Sequence, residues 1–428
     1  MRFCAWRVVL AGLSILAAAP AAAQGRTADP DDAALLLADL PVAAVDSRRD
    51  WQFAVEGALG AASPRNAGNR RQTGRLSLDL QVDKAFGKHW RGILSDQLDV
   101  RWQGRFGEKG SINTLREAYL SWQPDPEYAL DAGRINARYG VAMGYNPSDY
   151  FRSGASRSIV ALDPASLKKN RQGSVMLRGQ TLWPSGSLTA MFSPQLADPP
   201  ATTSFGTDSA ATNRQNRGLL VLGQRLSPEI NPQLLLYGEE RQAPQLGFNL
   251  TGVLGQATVA YVEWSGGRSD SQLTQALQGP HDMAFRSRLA TGLSYTTDNR
   301  ILLTVEYDFN GAAPTKAEWM SLSQRPAIDA LDYAQYRRWV QERSDLPTRQ
   351  SLFLYASWQD ALVDHLDFNA MLRSNMDDRS RFFWLEARYH WHQAELAVQW
   401  QRNSGRAGSE YGALTQAQAL QLLLRYLF

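Results

Sequence analysis

The sequence predicts an all-β protein: a transmembrane, antiparallel, up-and-down β-barrel of about 18 strands, with 16 as the alternative count, long outer loops and a short N-terminal periplasmic segment. Three observations carry this prediction. The chain begins like an exported protein, strand-length segments alternate apolar and polar side chains, and short and long connections alternate along the chain. Aromatic residues make up 10% of the chain, which is typical of a wall with one face in lipid and one in water.

The first 23 residues have the pattern of a cleaved secretory signal peptide. Arg2 and Arg7 precede an apolar run over 8–18, and Pro20 and small residues follow it. An uncleaved N-terminal anchor is the alternative. Cleavage removes Cys4, the only cysteine, so the mature chain is expected to have no disulfide and no thiolate chemistry.

Residues 24–49 differ from the rest of the chain and are predicted to be a short periplasmic segment before the barrel. Removal of Arg2 and Arg7 reduces the formal net charge from +3 to +1, so charge does not indicate a nucleic-acid partner. Beyond the signal peptide, the sequence contains no run of 18 or more apolar residues, and a transmembrane helix is not expected.

The segment 75–83 shows strict alternation with a period of two, as expected of a strand between lipid and water. One face carries Leu76, Leu78, Leu80 and Val82, and the other carries Arg75, Ser77, Asp79, Gln81 and Asp83. The next segment, 89–104, repeats the pattern, with Asp96 as the exception on its apolar face.

Strand-like segments continue to the last residue, so the barrel is assigned to 50–428. Tight connections alternate with long ones, which predicts periplasmic turns and long outer loops. A soluble β-sandwich or propeller is the alternative, but no repeat of blade length is present. Tryptophans near the strand ends fit an interfacial girdle, and these are Trp90, Trp102, Trp122, Trp264, Trp358 and Trp400.

The last strand predicts both a location and a partner. One face of it is apolar and ends on an aromatic residue, and it consists of Leu420, Leu422, Leu424, Tyr426 and Phe428. We expect this face to contact outer-membrane lipid, and the strand edge to pair with the strand near Trp51. The pattern resembles the C-terminal signal that the barrel-assembly machinery reads. The predicted location is therefore the outer membrane of a Gram-negative bacterium.

Charged residues on the inward face are the candidates for lining the pore and its constriction: Arg75, Arg91, Arg101, Arg116, Arg134, Arg138, Asp149 and Arg152. Because both signs are present along the strands, one interpretation is a structural ladder of cross-strand ion pairs. The other is a constriction with a cationic bias that selects anions.

The segment 137–170 is the candidate constriction loop. It is rich in glycine and aromatic residues, more than a loop left in water would need. Its vicinity contains six cations, Arg138, Arg152, Arg157, Lys168, Lys169 and Arg171, against the acids Asp149 and Asp163. A solvated outer loop is the alternative.

The segment 310–348 is a second long insertion, assigned to the outer side. Ile328, Leu331, Tyr336 and Trp339 can share one helix face there. The insertion is expected to cover the outer mouth, or alternatively to bind a partner.

Within residues 74–155 the chain resembles alginate-export-like and related porin-like outer-membrane barrels. In those proteins an "eAYl" strand is followed by a "GR…G…NP.D" segment, and the matching residues here are Glu117, Ala118, Tyr119, Gly133, Arg134, Gly140, Asn146, Pro147 and Asp149. The resemblance implies an 18-stranded barrel with an arginine-rich path for a uronate polymer. The acidic residues predicted in the lumen argue against a polyanion.

An enzyme is not expected, and neither a catalytic residue, a cofactor nor a metal is assigned. Of the five histidines, His390 and His392 could form a metal pair, but they fall at a predicted tight turn without a neighbouring ligand cluster. The predicted function is a porin-like channel for passive passage of small polar or anionic solutes, or for export of an anionic polysaccharide. The alternatives are a non-conducting structural or assembly barrel and a membrane-embedded hydrolase.

Overall fold

The computed structural model describes residues 49–65, 68–103, 109–157, 162–196, 212–324 and 330–428. The predicted signal peptide, 1–23, and most of the predicted periplasmic segment, 24–48, lie outside the described residues. From Trp51 the chain forms one antiparallel sheet of 18 strands in which β1 pairs with both β2 and β18. The sheet is therefore a closed barrel, as the sequence predicts, and the strand number is 18 rather than 16.

The strands of the first half are β1 Trp51–Pro64, β2 Arg71–Phe86, β3 Trp90–Gln103, β4 Lys109–Asp125, β5 Tyr128–Ile135, β6 Ser174–Trp183, β7 Gly186–Ser193, β8 Arg217–Gln224 and β9 Ile230–Glu239. Those of the second half are β10 Gln245–Leu254, β11 Thr258–Ser269, β12 Ala284–Thr296, β13 Ile301–Asn310, β14 Gln350–Trp358, β15 Leu366–Asn375, β16 Arg381–Trp391, β17 Ala394–Ser404 and β18 Gln416–Leu427. Strand β10, whose alternation of apolar and polar residues is weak in the sequence, pairs with β9 on one side and with β11 on the other.

Helices occur only in connections of the described chain. They are α1 Pro164–Lys169 between β5 and β6, α2 Gln272–Leu277 between β11 and β12, and α3 Lys316–Ser323 and α4 Ala330–Arg343 between β13 and β14. Among the described residues, none of these helices is long and apolar enough to span a membrane.

The two faces of each strand have opposite character. On β2, Leu76 points outward and is 40% exposed, whereas Arg75 points inward and is 6% exposed. The same alternation runs through β18, where Leu420, Leu422 and Leu424 are exposed and Leu423 is buried. An outer surface of exposed leucines with a polar interior is the arrangement that a barrel wall in lipid requires.

The connections separate into two ends of the barrel. We call the end with the turns 87–89, 126–127, 184–185, 225–229, 255–257, 297–300, 359–365 and 392–393 the short-turn end, and the opposite end the long-loop end. The first and last strands meet near the short-turn end, where Ala54 is paired with Leu427 and the amide of Phe428 donates to the carbonyl of Phe53 at 2.9 Å. Trp90 and Trp122 lie together on the outer surface at this same end, with ring centroids 6.4 Å apart.

Candidate functional site

Residues 136–157 continue from β5 and lie against inward-facing residues of distant strands, so this segment occupies the interior of the barrel. We call it the lumen loop. Tyr150 stacks on Tyr237 of β9 with ring centroids 4.4 Å apart. Tyr145 packs against Tyr261 of β11 and Ala290 of β12. The loop therefore reaches across the lumen from its own strand.

Glu263 of β11 holds the first part of the lumen loop. Its side chain is fully buried, and one carboxylate oxygen accepts the amides of Val141 at 2.9 Å and Ala142 at 3.1 Å. The Asn146 side-chain amide donates to that oxygen at 3.1 Å. Ser148 donates to the other oxygen through its amide at 2.8 Å and its hydroxyl at 2.9 Å. A single carboxylate thus collects five donors, which is how a buried charge avoids a large desolvation penalty.

Glu306 of β13 holds the next turn in the same way. Its two oxygens accept the amides of Met143 at 2.8 Å, Gly144 at 2.9 Å and Tyr145 at 2.9 Å. The Tyr261 hydroxyl donates to Glu306 at 2.6 Å. Three consecutive backbone amides therefore point at one wall carboxylate, a concave arrangement that fixes the local backbone path.

Two glycines make this close approach possible. Gly140 has a φ of 100°, and a Cβ there would lie 2.5 Å from the Glu263 carboxylate oxygens. At Gly144 a Cβ would lie 2.7 Å from the Phe353 ring. Both positions exclude a larger residue unless the loop moves away from the wall.

Arg152 joins the lumen loop to the long insertion between β13 and β14. Its guanidinium forms an ion pair with Asp345 at 3.2 Å, and the same carboxylate accepts the Tyr145 hydroxyl at 2.8 Å. The Gly154 amide donates to the Glu342 carbonyl in α4 at 2.8 Å. Burial alone would raise the pKa of Asp345, but Arg152 and Arg288 hold that pKa below its usual value. Asp345 is thus a buried, charged link between the two loops.

A third attachment lies at α1, beyond the lumen loop. The Arg171 guanidinium pairs with Asp149 at 2.7 Å, and the Lys168 ammonium donates to the Ala142 carbonyl at 3.0 Å. Burial, reinforced by nearby Arg116, lowers the pKa of Lys169 to about 8, although Asp79 opposes this. This lysine therefore loses its charge around pH 8, well below the pH at which a solvent-exposed lysine does.

Two cavities border the lumen loop, and Asp149, Arg152 and Asp345 line both. The first, of about 430 Å³, has six guanidinium groups from Arg152, Arg214, Arg217, Arg241, Arg288 and Arg343, against carboxylates from Asp149, Glu239, Glu240 and Asp345. The second, of about 600 Å³, has cations from Arg101, Arg152, Arg157, Lys168, Arg171 and Arg373, against Asp149, Asp308, Asp345 and Glu410. Each cavity has two more cations than anions.

A third cavity, of about 270 Å³, has the opposite balance. It lies on the inward faces of strands near the closure of the barrel. Its acids are Glu56, Asp79, Asp163, Asp367, Glu386 and Glu395, and its cations at neutral pH are Arg75, Lys169, Arg388 and Arg425. Of these three cavities among the described residues, only the two that border the lumen loop have an excess of positive charge.

The structure distributes the sequence-predicted lining residues over several places. Arg101, Asp149 and Arg152 meet at the second cavity. Arg75 is buried beside the third cavity, where it pairs with Glu56. Arg91 pairs with Asp83 near the short-turn end, and both side chains are half exposed.

The remaining predicted arginines differ in their burial. Arg116 is buried and pairs with Asp79. Arg134 is buried, and its guanidinium donates to the Gly173 carbonyl at 2.5 Å. Arg138 is exposed. Many of the predicted cations are therefore occupied by contacts inside the protein.

Sequence reasoning missed Glu263 and Glu306. Each is a single glutamate at an inward position of an otherwise ordinary strand, in "VAYVEWS" and "LLTVEYDF". The signal that could have found them is an acid on the polar face of each strand, single at Glu263 and followed by Asp308 at Glu306. The partners lie 115 to 163 residues away in sequence, as for Ser148 with Glu263 and Met143 with Glu306.

The insertion between β13 and β14 lies at the long-loop end. Its buried residues Trp319 and Tyr336 form one cluster with Ala276 of α2. Of the predicted helix face, Tyr336 is fully buried, Trp339 packs at the edge of the cluster, and Leu331 is 77% exposed. Ile328 lies outside the described residues.

The histidine pair has different surroundings at its two members. His390 lies 3.1 Å from Asp367 and 3.6 Å from Glu395, whereas His392 occupies a turn with a φ of 52°. Within the part of the chain that the structure describes, no group of three or more His, Cys, Asp or Glu side chains could hold a metal ion.

No protein-family model matches the chain, and no curated protein matches it. Solved structures do match its fold. OccAB1 of Acinetobacter baumannii is 9% identical with a TM-score of 0.55, over 88% of this chain and 96% of that one. OccK5 (OpdH) of Pseudomonas aeruginosa is 11% identical with a TM-score of 0.52, over 89% and 98%. OccK7 (OpdD) of the same organism is 10% identical with a TM-score of 0.52, over 88% and 99%.

At these identities the likeness is one of fold. The chain has a closed, antiparallel 18-stranded barrel with the fold of these structures. The resemblance to alginate-export-like barrels rests on the sequence motif, because the matched structures named above are Occ proteins.

Proposed function

We propose that the chain is an outer-membrane channel for passive diffusion of small polar solutes, with a preference for anions. The observation that carries the proposal is the attachment of the lumen loop to Glu263 and Glu306 on the far wall. A loop tethered across the interior narrows the path and fixes its lining residues, and selectivity in such a channel follows from width and charge.

The charge balance supports the anion preference. Each cavity beside the lumen loop has six cations against four carboxylates. Arginine suits the role because its guanidinium stays charged at every physiological pH and binds carboxylate or phosphate with two parallel hydrogen bonds.

The size of these cavities favours small solutes over a polymer. Volumes of about 430 and 600 Å³ correspond to sites for molecules of metabolite or drug size. The matched Occ proteins are outer-membrane porins, which agrees with this choice. Export of an anionic polysaccharide would require the lumen loop to leave Glu263 and Glu306.

The outer surface supports the proposed partners. Exposed leucines along β18 suit contact with outer-membrane lipid. Phe428 packs against Phe53 with ring centroids 5.6 Å apart, while remaining 48% exposed. We propose that this exposed aromatic end is read by the barrel-assembly machinery, after export directed by residues 1–23.

Single-channel recording in planar bilayers tests the proposal. The purified barrel should give discrete conductance steps, and its reversal potential in a salt gradient should indicate anion preference. Absence of ion-conducting events in a correctly folded barrel would favour the non-conducting alternative, and cation preference would refute the anion-selective version. Hydrolysis of lipid or peptide that a single histidine substitution abolishes would indicate the enzyme instead.

A further inference from the structure

Four arginines gather at the long-loop end of β16 and β17. Arg379 and Arg381 lie at the start of β16, and Arg402 and Arg406 lie at the end of β17. All four are exposed. Their guanidinium groups have no hydrogen-bond or ion-pair partner among the residues that the structure describes. They form what we call the rim cluster.

The acids nearest in sequence to the rim cluster are engaged elsewhere. Asp377 accepts the Gln350 amide at 3.1 Å, and Asp378 accepts the Glu410 amide at 2.7 Å. Glu410 in turn accepts the Asn375 side chain at 2.9 Å. These carboxylates therefore direct their oxygens at neutral amides and form no ion pair with the rim cluster.

Two members of the rim cluster face the outside of the barrel. Phe382 and Asn403 are buried and point inward, so Arg381 and Arg402 belong to the outward face. Arg381 is paired with Ser404, which places Arg402 on the adjacent diagonal. Diagonal neighbours lie about 7–8 Å apart, close enough for two long side chains to converge on one tetrahedral anion.

The same strand faces show where Arg381 and Arg402 lie relative to lipid. Outward positions of β16 from Phe383 to Trp391 are apolar or aromatic, and on β17 those from Ala394 to Trp400 are apolar or aromatic. Nine residues of tilted strand cover about 20 Å, most of the apolar band of an outer-membrane barrel. The two guanidinium groups therefore lie just beyond the apolar band, at the level of lipid headgroups.

Exposed arginines at the short-turn end are arranged differently. Arg300 pairs with Asp360 at 2.6 Å, and Arg91 pairs with Asp83. At the short-turn end, a carboxylate therefore neutralises each of these two guanidinium groups. In the rim cluster, the guanidinium groups remain accessible to an external anion. Elsewhere at the long-loop end Arg241 and Arg286 also lie beside carboxylates, so the rim cluster is distinguished by having no acidic partner in the described part of the chain.

We infer that the rim cluster binds a phosphate group of an anionic lipid in the outer leaflet, with Arg381 and Arg402 as direct ligands. Guanidinium groups bind phosphate by charge-assisted, bidentate hydrogen bonds, and the apolar wall below receives the acyl chains. This inference rests on the membrane location in the proposed function but does not depend on conduction.

Native mass spectrometry of the purified full-length barrel with a bis-phosphorylated lipid A tests the inference. We expect R381Q/R402Q to reduce lipid A binding about tenfold or more, because two charge-assisted contacts are lost. R338Q is the matched control, since Arg338 is an exposed arginine of α4 away from the strand faces, and it should bind like the unchanged protein. R379Q/R406Q should have a smaller effect.

Three outcomes would overturn the inference: undiminished binding by R381Q/R402Q, equal binding of dephosphorylated lipid A, or binding of inorganic phosphate without lipid A. Retained heat-modifiable migration on gels verifies that each variant is folded. Because the cluster lies outside the lumen, unchanged conductance in R381Q/R402Q separates this test from the test of channel function.

Discussion

The inner walls formed by β2–β4 and by β11–β13 both carry buried charge, but they use it differently. On the first wall, Arg116 pairs with Asp79 on a neighbouring part of the sheet. On the second, Glu263 and Glu306 accept backbone amides of the lumen loop. The first wall pairs its opposite charges with each other, with additional contacts from Arg116 to Asn170 and from Asp79 to Lys169, and the second has no such cation partner among the described residues and holds a separate backbone segment. The comparison shows that the same polar alternation can either brace a wall or position a constriction.

The largest expected effect comes from removing the second wall's acceptors. In E263Q/E306Q each carboxylate becomes an amide, and one of its two acceptor oxygens is replaced by an NH₂ group that faces the donors of the lumen loop. Several buried donors then lack an acceptor, and each of them destabilises the attached loop by about 1–3 kcal/mol. We expect the lumen loop to leave the wall and single-channel conductance to rise about twofold or more.

Two further variants serve as comparisons for the conductance of E263Q/E306Q. E229Q changes an exposed turn glutamate and should leave conductance unchanged. D79N disturbs the first wall and should change conductance less than E263Q/E306Q. An equal or larger change in D79N would mean that the two walls do not divide their roles in this way.

The second effect concerns the link between the two loops. D345N removes the counter-charge of Arg152 while preserving side-chain size. Anion preference, measured as the permeability ratio from reversal potentials, should increase about twofold because the excess positive charge in both cavities grows. N310D is the opposite change at a neighbour whose amide donates to Asp345 at 3.1 Å, and it should lower the ratio. A ratio unaffected by either variant would place Asp345 outside the solute path.

The third effect is a pH dependence at Lys169. Its pKa is lowered to about 8, chiefly by burial, so the side chain is charged below that pH and neutral above it. Anion preference should therefore decrease as pH rises from 7 to 9, and K169M should lack this step. Because the unfolded lysine keeps its proton to higher pH, the folded barrel should also gain stability between about pH 8 and 10. A step of equal size in K169M would assign the titration to another group.

The fourth effect concerns the loop between β17 and β18. Burial raises the pKa of Glu410 to about 6, with Asp378 adding to the shift and Asn375 opposing it. A raised carboxyl pKa means that stability is present at low pH and is lost as pH rises from about 4.5 through 6. Loop-opening noise in single-channel records should therefore increase between pH 5 and 7, and E410Q should remain quiet throughout. Noise that decreases over this range in the unchanged protein would contradict the assignment.

The smallest effect is expected at Arg134 of β5 and Arg138 of the lumen loop, two of the predicted lining arginines. R138S removes an exposed charge and should alter selectivity only slightly. R134S removes a buried donor to the Gly173 carbonyl and should reduce the yield of folded barrel more than it shifts the reversal potential. A large selectivity change in R138S would place this residue at the constriction.

Local patterns in the sequence predicted much of the fold. Leu76 and Arg75 differ in environment because adjacent strand residues face opposite sides, and that relation needs no knowledge of distant residues. Strand number followed from counting such segments, although β10 was weak enough to leave 16 open until its pairing with β9 and β11 was known. The glycine and aromatic content of 137–170 drew attention to the segment that contains most of the lumen loop, and its role as a constriction stays a prediction.

Local patterns could not predict which residues of the barrel wall the lumen loop contacts. Gly140 and Asn146 belong to the motif noticed in the sequence, but both contact Glu263, more than a hundred residues later. Nothing in the order of residues states which inward-facing acid a loop will meet when a barrel closes. Local patterns also assigned Arg134 to the pore lining, whereas its guanidinium is buried and donates to the Gly173 carbonyl.

The sequence by itself determined the class of architecture, because lipid on one side and water on the other impose a period of two on every strand. It also determined which segment is rich enough in glycine and aromatic residues to fold inward. Only the tertiary structure decided which charged side chains form ion pairs inside the protein and which do not. Closure of the barrel brings β5 opposite β11 and β13, and buried carboxylates bind whichever donors that closure places within hydrogen-bond distance.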